Sequence, residues 1–147
     1  MIDKIHIGAL ISRHSVDVEA GRLRFFAKAT GQNDARYTDL AAAEAAGYPD
    51  LPVPPTFLFC LEMESPNPRA MIERLNIDIG KVLHGQQHFE YHRMAYAGEC
   101  LTFETRVADI YDKKGGALEF VVRETRVFDA KGDPVADLRS TIVVRNS

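Results

Sequence analysis

Residues 52–63 read PVPPTFLFCLEM, a proline-rich lead followed by an apolar run. Wound as an α-helix, the run TFLFCLEM shows apolar side chains all the way round and has no face suited to water. We therefore predict a short helix that is buried on every side. The rest of the fold has to supply the surface that covers it.

The second half of the chain has the pattern of β-strands, with alternating apolar and polar residues or many β-branched ones. KKGG and DAKGD stand between these runs as turns. The predicted strands lie within residues 8–18, 81–93, 100–111, 116–129 and 133–146. An antiparallel sheet that curls around one apolar helix is the hot-dog architecture. We therefore predict an α+β hot-dog fold and one domain over residues 1–147.

Two further helices are predicted ahead of the apolar run. In VEAGRLRFFAKATG (18–31) the helical period puts four residues on one side: Leu23, Phe26, Ala27 and Thr30. Asp17 is placed to cap its start and Gly31 to end it. The second helix lies in TDLAAAEAAGYP (38–49). Its predicted caps and stops are Thr38, Asp39, Gly47 and Pro49.

Composition excludes several classes of function. The chain of 147 residues has a net charge of −3 and no basic stripe, which argues against nucleic acid as the main partner. No apolar run is long enough for a membrane span, and the first residues are too polar for a signal peptide. Cys60 and Cys100 are predicted to be reduced and buried, in the cytoplasm.

Two longer stretches carry a resemblance to a known family. FAKATGQNDARYTDLAAAEAAGYPDLPVPPTF (26–57) and HGQQHFEYHRMAYAGECLTFETRV (84–107) resemble the MaoC-like dehydratases. They are most similar to the substrate-binding, N-terminal-type half of two-subunit hydroxyacyl-thioester dehydratases. The resemblance implies reversible hydration of trans-2-enoyl thioesters of CoA or acyl carrier protein. It also implies no metal and no organic cofactor.

Catalytic members of that family share a loop that reads G-D-x-N-P-x-H-x-D, and here the loop reads GQNDARYTD. The family Asp falls on Gln32, the His on Tyr37 and the final Asp on Asp39. A later H-G pair, whose backbone N–H binds the thioester oxygen, falls on Pro54 and Pro55. Hydration needs a base for water, an acid for the α-carbon and donors for the oxygen where charge develops.

Each departure from the family pattern removes a group that would meet one of these requirements. Gln32 can orient a water but its amide cannot accept the proton. A tyrosine side chain has a reference pKa of about 10, so Tyr37 is a poor base at pH 7 unless its surroundings perturb it strongly. Pro55 has no N–H at all. The sequence therefore predicts the non-catalytic half of a paired site.

Three carboxylates remain as alternative bases. Asp34 lies two positions beyond the lost Asp and would serve if the loop were shifted, although a solvated turn aspartate is the simpler interpretation. Glu62 and Glu64 end the apolar helix, where emergence into solvent is favoured. A hot-dog thioesterase, the weakest hypothesis, would need one of these three groups near the helix.

The stretch HGQQHFEYH spaces His84, His88 and His92 four residues apart. On a strand such residues are roughly 13 Å apart, too far to share one zinc ion. We therefore predict no metal site. The strand would carry a polar row with Gln86 and Glu90, facing a partner, the substrate channel or solvent. Its other row, predicted to pack inward, is Leu83, Phe89 and Tyr91.

The predicted substrate-binding residues are Pro55, Thr56, Phe57 and Arg93. Arg93 either contacts the phosphates of CoA or of a carrier arm, or forms a structural ion pair. The first hypothesis is a dehydratase subunit that holds the acyl chain while a second hot-dog subunit supplies catalysis. The alternative is a homodimer that binds acyl thioesters without turnover. An open sheet edge predicts at least a dimer in both cases.

Overall fold

The computed structural model describes residues 1–146 and contains one five-stranded antiparallel sheet. The strands are β1 (Leu10–Asp17), β2 (Val82–Tyr91), β3 (Cys100–Lys113), β4 (Leu118–Phe128) and β5 (Pro134–Arg145). Their spatial order is β1-β3-β4-β5-β2, which leaves β1 and β2 at the two edges. The five predicted strands and both turns between β3, β4 and β5 are confirmed.

Four short α-helices accompany the sheet: α1 (Ala20–Ala29), α2 (Leu40–Ala45), α3 (Phe57–Glu62) and α4 (Ala70–Arg74). Gly31 and Gly47 have φ angles of +70° and +88° and end α1 and α2 as predicted. Asp39 caps α2 by accepting the Ala41 N–H. The predicted cap at Asp17 is wrong, because Asp17 still belongs to β1.

The side of α1 that faces the core is also shorter than the helical period of the sequence predicts. Leu23 and Ala27 are fully buried and Phe26 packs against the same core. Thr30 is exposed, because α1 has already ended at Ala29 and the Thr30 hydroxyl donates to the Phe26 carbonyl. One turn of helix therefore provides the contact with the core.

The apolar run forms α3, and α3 is the centre of the larger hydrophobic core. Leu58 and Leu61 are 1% and 0% exposed and belong to the same cluster as Leu101, Phe103 and Val135 from the sheet. The helix is not buried on every side, however. Its half-buried residues are Phe59 and Cys60. The prediction that α3 is buried on every side is therefore wrong for this part of its surface.

A buried carboxylate anchors the end of α3 to the sheet. Glu62 is 5% exposed, so its predicted emergence into solvent is wrong. The Thr125 hydroxyl donates to one of its oxygens, and the Arg123 guanidinium donates to the other at 3.3 Å. Thr105 and Ser140 extend the network to β3 and β5. These donors offset the cost of removing the charge from water.

The edge strand β2 departs most from its predicted pattern. Leu83 and Tyr91 are about half exposed, 52% and 48%, so the prediction that they pack inward is wrong. Only β5 lies beside β2, and an edge strand has neighbours on one side only. A β-bulge between His84 and Gln86 also interrupts the two-residue alternation on which the predicted polar row depended.

Cys60 and Cys100 are free thiols, and both are half-buried rather than fully buried. Burial raises the pKa of each thiol, which keeps both protonated and unreactive at neutral pH. Within residues 1–146, no helix is long and apolar enough to cross a membrane.

A second buried carboxylate ties both ends of the chain to β4. Glu119 is 4% exposed and accepts hydrogen bonds from the Ile2 N–H and from the Asn146 side-chain amide at 2.6 Å. Burial alone would raise the pKa of Glu119, but these two donors together with the positive charge of the N-terminal amine outweigh it, and the pKa lies below its ordinary value.

The bulge at Gly85 generates a first prediction. A Cβ atom at Gly85 would lie 2.9 Å from Val143 Cγ2 and 3.2 Å from the Thr141 carbonyl oxygen. Gly85→Ala is therefore expected to lower the free energy of unfolding by about 1–3 kcal/mol. In the control Gly21→Ala, no atom lies within 4 Å of the new Cβ. That helix substitution is expected to stabilise by up to about 1 kcal/mol. If the two substitutions changed the free energy of unfolding in urea equally, the close approach of Gly85 to Val143 and Thr141 would be contradicted.

Glu119 generates a second prediction, on pH dependence. Because its folded-state pKa is depressed, its contribution to stability is present above the unfolded pKa and is lost as pH falls through the folded pKa. Glu119→Gln is expected to cost about 1–2 kcal/mol at pH 7 and progressively less below about pH 4. Unfolding measured across this range should show no such trend for the exposed control Glu44→Gln. A cost that is independent of pH would show that the Glu119 charge has no role.

Candidate functional site

A small cleft lies where the loop after α1, the start of α3 and the end of β2 meet. It has a volume of about 100 Å³. It is lined by Tyr37, Val53, Pro55, Leu58, Tyr91, Arg93, Met94, Ala95 and Val135. Three residues that the sequence singled out are thus brought together: Tyr37, Pro55 and Arg93. Gln32, Asp34, Thr56 and Phe57 do not line the cleft.

Three larger clefts are less suited to an acyl ligand. One of about 320 Å³ is lined mainly by charged side chains of β2, β4 and β5. A second, of about 440 Å³, lies beside both chain ends and is also mostly polar. A third, of about 380 Å³, is lined by Gly80, Lys81, Leu83, Arg145 and Asn146. None of them contains a residue of the family loop. The smaller cleft combines an apolar floor with Tyr37 of that loop and with Pro55, and it is therefore the candidate site.

The loop beside the cleft is held by its own polar groups. The Asp34 N–H donates to the Gln32 side-chain oxygen at 3.1 Å. The Asp34 carboxylate in turn accepts from the backbone N–H and the guanidinium of Arg36. The hydrogen bond from the Arg36 side chain lowers the pKa of Asp34, which weakens it as a base. Both residues shape the loop, and neither carries its side chain into the cleft.

A backbone N–H does exist at the start of α3, one residue after Pro55. Thr56 has a φ angle of +72°, an uncommon left-handed conformation for a β-branched residue. Its N–H donates to the Tyr91 hydroxyl oxygen at 3.0 Å. A backbone donor that Pro55 cannot provide is therefore present at Thr56. The Tyr91 hydroxyl oxygen already accepts its hydrogen bond.

Phe57 is a core residue rather than part of the cleft wall. It is 4% exposed, and its ring lies 4.9 Å from that of Phe26. The Arg22 guanidinium lies 5.5 Å from the Phe57 ring and also pairs with Glu64 at the surface. The emergence of Glu64 into solvent is confirmed. The predicted contact of Phe57 with substrate stays a prediction.

Arg93 follows β2 and is committed to a network of ion pairs. Its guanidinium donates to both Glu99 oxygens, at 2.6 and 3.2 Å, and to Asp129 at 3.0 Å. It also donates to the Met94 carbonyl. The Glu99 hydrogen bonds, followed by that from Arg93 to Asp129, raise the pKa of the guanidinium. The ion-pair alternative is confirmed, because both terminal nitrogens of the guanidinium donate within this network.

The histidines of β2, and His92 directly after it, lie outside the cleft. His92 Nε2 lies 3.0 Å from an Asp137 oxygen, and His84 Nε2 lies 3.3 Å from the Gln87 side-chain oxygen. Residues 1–146 contain no group of three or more His, Cys, Asp or Glu side chains with the geometry of a metal site.

The sequence did not point to several residues of the cleft. The alternation along the strand predicts Tyr91 in the inward row, yet it reaches the cleft mouth and the Thr56 N–H. Leu58 lies in the predicted buried helix, and Val135 lies in the predicted strand 133–146. No local signal marks these residues, because their positions depend on how β2, β5 and α3 pack together.

The chemistry available in the cleft is limited by residue type. Its lining has two phenols, one guanidinium and otherwise apolar side chains. No carboxylate or imidazole of the described residues lines it. Such a cleft can hold an apolar group but offers no proton acceptor suited to neutral pH.

Comparison with known proteins places this architecture in a family. The FAS1-like, dehydratase domain region matches residues 5–138. A UPF0336 protein of Saccharopolyspora erythraea is 36% identical over 131 residues, which cover 88% of this chain and 83% of that protein. A UPF0336 protein of Thermobifida fusca is 33% identical over 129 residues, covering 88% and 84%.

Solved structures show the same fold at lower identity. A MaoC-like dehydratase superposes with a TM-score of 0.85 at 24% identity, over 97% of this chain and 43% of that chain. A chain of the HadBC (3R-hydroxyacyl-ACP dehydratase) complex from Mycobacterium tuberculosis has a TM-score of 0.79 at 20% identity, covering 93% and 96%. The chain therefore belongs to the FAS1-like dehydratase domain region family, with the hot-dog fold of the MaoC-like dehydratases.

Proposed function

We propose that this protein is the acyl-binding subunit of an enoyl-thioester hydratase or 3-hydroxyacyl-thioester dehydratase. Its substrates are acyl thioesters of CoA or acyl carrier protein. A second hot-dog subunit supplies the acid–base pair and the oxyanion donor. The proposed reaction is reversible: water adds across the α,β double bond to give the 3-hydroxyacyl thioester, or leaves it.

One observation carries the proposal. The cleft that Tyr37 of the family loop lines is present, but no carboxylate or imidazole of residues 1–146 lines it. The family positions for the acid–base residues hold Gln32 and Tyr37. The nearby Asp34 is engaged by Arg36, and its pKa is lowered. A fold that keeps the cleft and lacks the base fits a binding role within a paired enzyme.

The edge strand supports a paired assembly. β2 has a hydrogen-bonded neighbour only in β5, so its other edge offers unpaired backbone groups. Leu83 and Tyr91 are exposed beside that edge, and Met94 follows close behind. Among structures of the same fold, the HadBC and ChsH1-ChsH2 structures of Mycobacterium tuberculosis are complexes. A second hot-dog subunit, identical or related, would cover this surface.

The second candidate function is an acyl-thioester-binding homodimer without turnover. The same apolar cleft favours it, and activity measured with a catalytic partner separates the two. A thioesterase is less well supported. Glu62 is buried and hydrogen-bonded to Thr125 and Arg123, and Glu64 is paired with Arg22. Neither carboxylate lines the cleft.

The proposal predicts that activity depends on a partner. The purified chain alone is expected to leave the enoyl absorbance of crotonyl-CoA and longer enoyl-CoA substrates unchanged. Co-expression with a hot-dog subunit that carries the intact G-D-x-N-P-x-H-x-D loop should restore hydration. Robust activity of the chain alone would defeat the subunit assignment. In that event, loss of the activity in Asp34→Asn would identify Asp34 as the base.

The acyl-binding role predicts the effect of filling the cleft. Val53→Phe adds a ring to a half-buried wall of a cleft of only about 100 Å³. Binding of butyryl-CoA, measured by calorimetry, is expected to weaken at least about tenfold, a loss of about 1.4 kcal/mol. Ile79→Phe adds the same ring at a site 52% exposed and outside the cleft, and should leave binding unchanged. Circular dichroism checks that both variants are folded. Equal affinity of both variants would place the ligand elsewhere.

A further inference from the structure

The side of α1 that faces away from the core combines one aromatic ring with positive charge. Phe25 is 74% exposed, the only large apolar side chain of α1 with such exposure. Arg24 and Lys28 flank it in sequence, and both are exposed. Gly21 lies about one turn before Arg24 and Phe25, on the same side of the helix, and carries no side chain that could cover them. We call these four residues the α1 surface.

The chain itself does not neutralise the charge of the α1 surface. Residues 20–33 contain three cations and no aspartate or glutamate. Within residues 1–146, no carboxylate forms an ion pair with Arg24 or Lys28. The Arg24 Nε donates to the Thr38 carbonyl, a hydrogen bond that leaves the positive charge in place. The α1 surface is therefore a local cationic site on a chain whose net charge is −3, and it attracts anions.

The α1 surface lies next to the candidate cleft. The hydrogen bond from Arg24 to Thr38, at 3.0 Å, joins α1 to the loop, and the preceding residue, Tyr37, lines the cleft. In an acyl-CoA, the pantetheine arm separates the thioester from the phosphates by about 15 Å when extended, the span of four or five residues of extended backbone. Arg93, the cation in the cleft wall, is paired with two carboxylates. The unpaired positive charge within reach of such an arm is that of the α1 surface.

We propose that the α1 surface is the subsite for the nucleotide end of CoA. The adenine ring stacks on Phe25, and the phosphates are attracted by Arg24 and Lys28. Aromatic side chains bind nucleic-acid bases by stacking, and neighbouring cations bind the phosphates of the same nucleotide. This inference rests on the proposed function and deepens it, because it selects CoA rather than a carrier protein as the thioester carrier.

A single exposed ring suits a nucleotide better than a protein. A stable protein interface buries roughly 800 Å² on each partner and has several apolar side chains at its centre. The other large apolar side chains of α1 are turned towards the core. Leu23 is fully buried, and the Phe26 ring lies 4.9 Å from that of Phe57. One aromatic side chain offers about the area that an adenine ring can cover.

The chain contains no tryptophan, which permits a direct test of stacking. Phe25→Trp introduces one indole on α1, and an adenine ring stacked on it should quench its fluorescence when adenosine 3′,5′-bisphosphate is added. The control Ile5→Trp introduces the indole at a site that is 79% exposed and outside α1, and it should show no quenching. Absence of quenching in Phe25→Trp, or equal quenching in both variants, would overturn the inference.

Calorimetry with adenosine 3′,5′-bisphosphate at up to about 5 mM measures the two contributions, since it detects binding as weak as a millimolar Kd. Phe25→Leu keeps an apolar side chain but loses the ring face, and it should bind at least about fivefold more weakly than the wild type. Lys28→Gln should bind about two- to fivefold more weakly, the value of one exposed charge pair. Lys114→Gln removes the same charge from the exposed turn after β3 and should bind like the wild type.

Circular dichroism shows that each variant is folded before its affinity is compared. No binding by the wild type, or unchanged affinity in either Phe25→Leu or Lys28→Gln, would overturn the inference. If butyryl-loaded acyl carrier protein bound to the wild type and not to Phe25→Leu, while adenosine 3′,5′-bisphosphate bound to neither, the α1 surface would be a docking site for a protein. That result would also overturn the inference.

S-butyryl-pantetheine, which lacks the nucleotide, separates this inference from the proposed function. It should bind equally to the wild type and to Phe25→Leu, because the acyl chain occupies the cleft and no adenine ring is present. If it binds and adenosine 3′,5′-bisphosphate does not, the subsite on α1 is wrong and the acyl-binding role stands. If only the bisphosphate binds, the acyl-binding role fails and the nucleotide subsite stands.

Discussion

The burial of α3 against the sheet is the constraint on which the rest of the structure depends. Leu58 and Leu61 lose nearly all contact with water, and apolar burial of this kind is the main favourable term in folding. The helix is only six residues long, so its ends meet the sheet directly. At the C-terminal end of α3, side chains of the sheet donate hydrogen bonds to the Glu62 carboxylate. At the N-terminal end, Thr56 adopts a left-handed backbone conformation and the cleft lies beside it.

The residues of the loop at 31–39 have structural roles that need no catalytic side chain. Gly31 and Asp39 serve the turn and the cap, and the pair of Asp34 and Arg36 closes the loop between them. The cleft that Tyr37 of this loop lines has an apolar floor, because Leu58 and Val135 also belong to the core around α3. A stable core and the proposed acyl-binding wall are therefore formed by the same residues.

The sequence predicted the site in part. The resemblance places Tyr37 and Pro55 at family site positions, and both line the same cleft although Tyr37 precedes α2 and Pro55 precedes α3. The sequence misplaced Tyr91, since an edge strand with a bulge does not follow strict alternation. It left the role of Arg93 open, because Asp129 lies 36 residues away along the chain. Glu62 looked like a surface residue because its partner Thr125 lies 63 residues away.

Some properties of this protein follow from residue type alone. The missing N–H of Pro55 and the lack of basicity of the Gln32 amide are covalent facts that no packing changes. The tertiary structure decided which donors are free, which carboxylates are buried, and that the Tyr91 hydroxyl meets the Thr56 N–H. The physical reason is that residue type fixes which donors and acceptors a side chain has. Which partners they bind depends on groups that are distant in sequence. Only folding brings those groups within about 3 Å of one another.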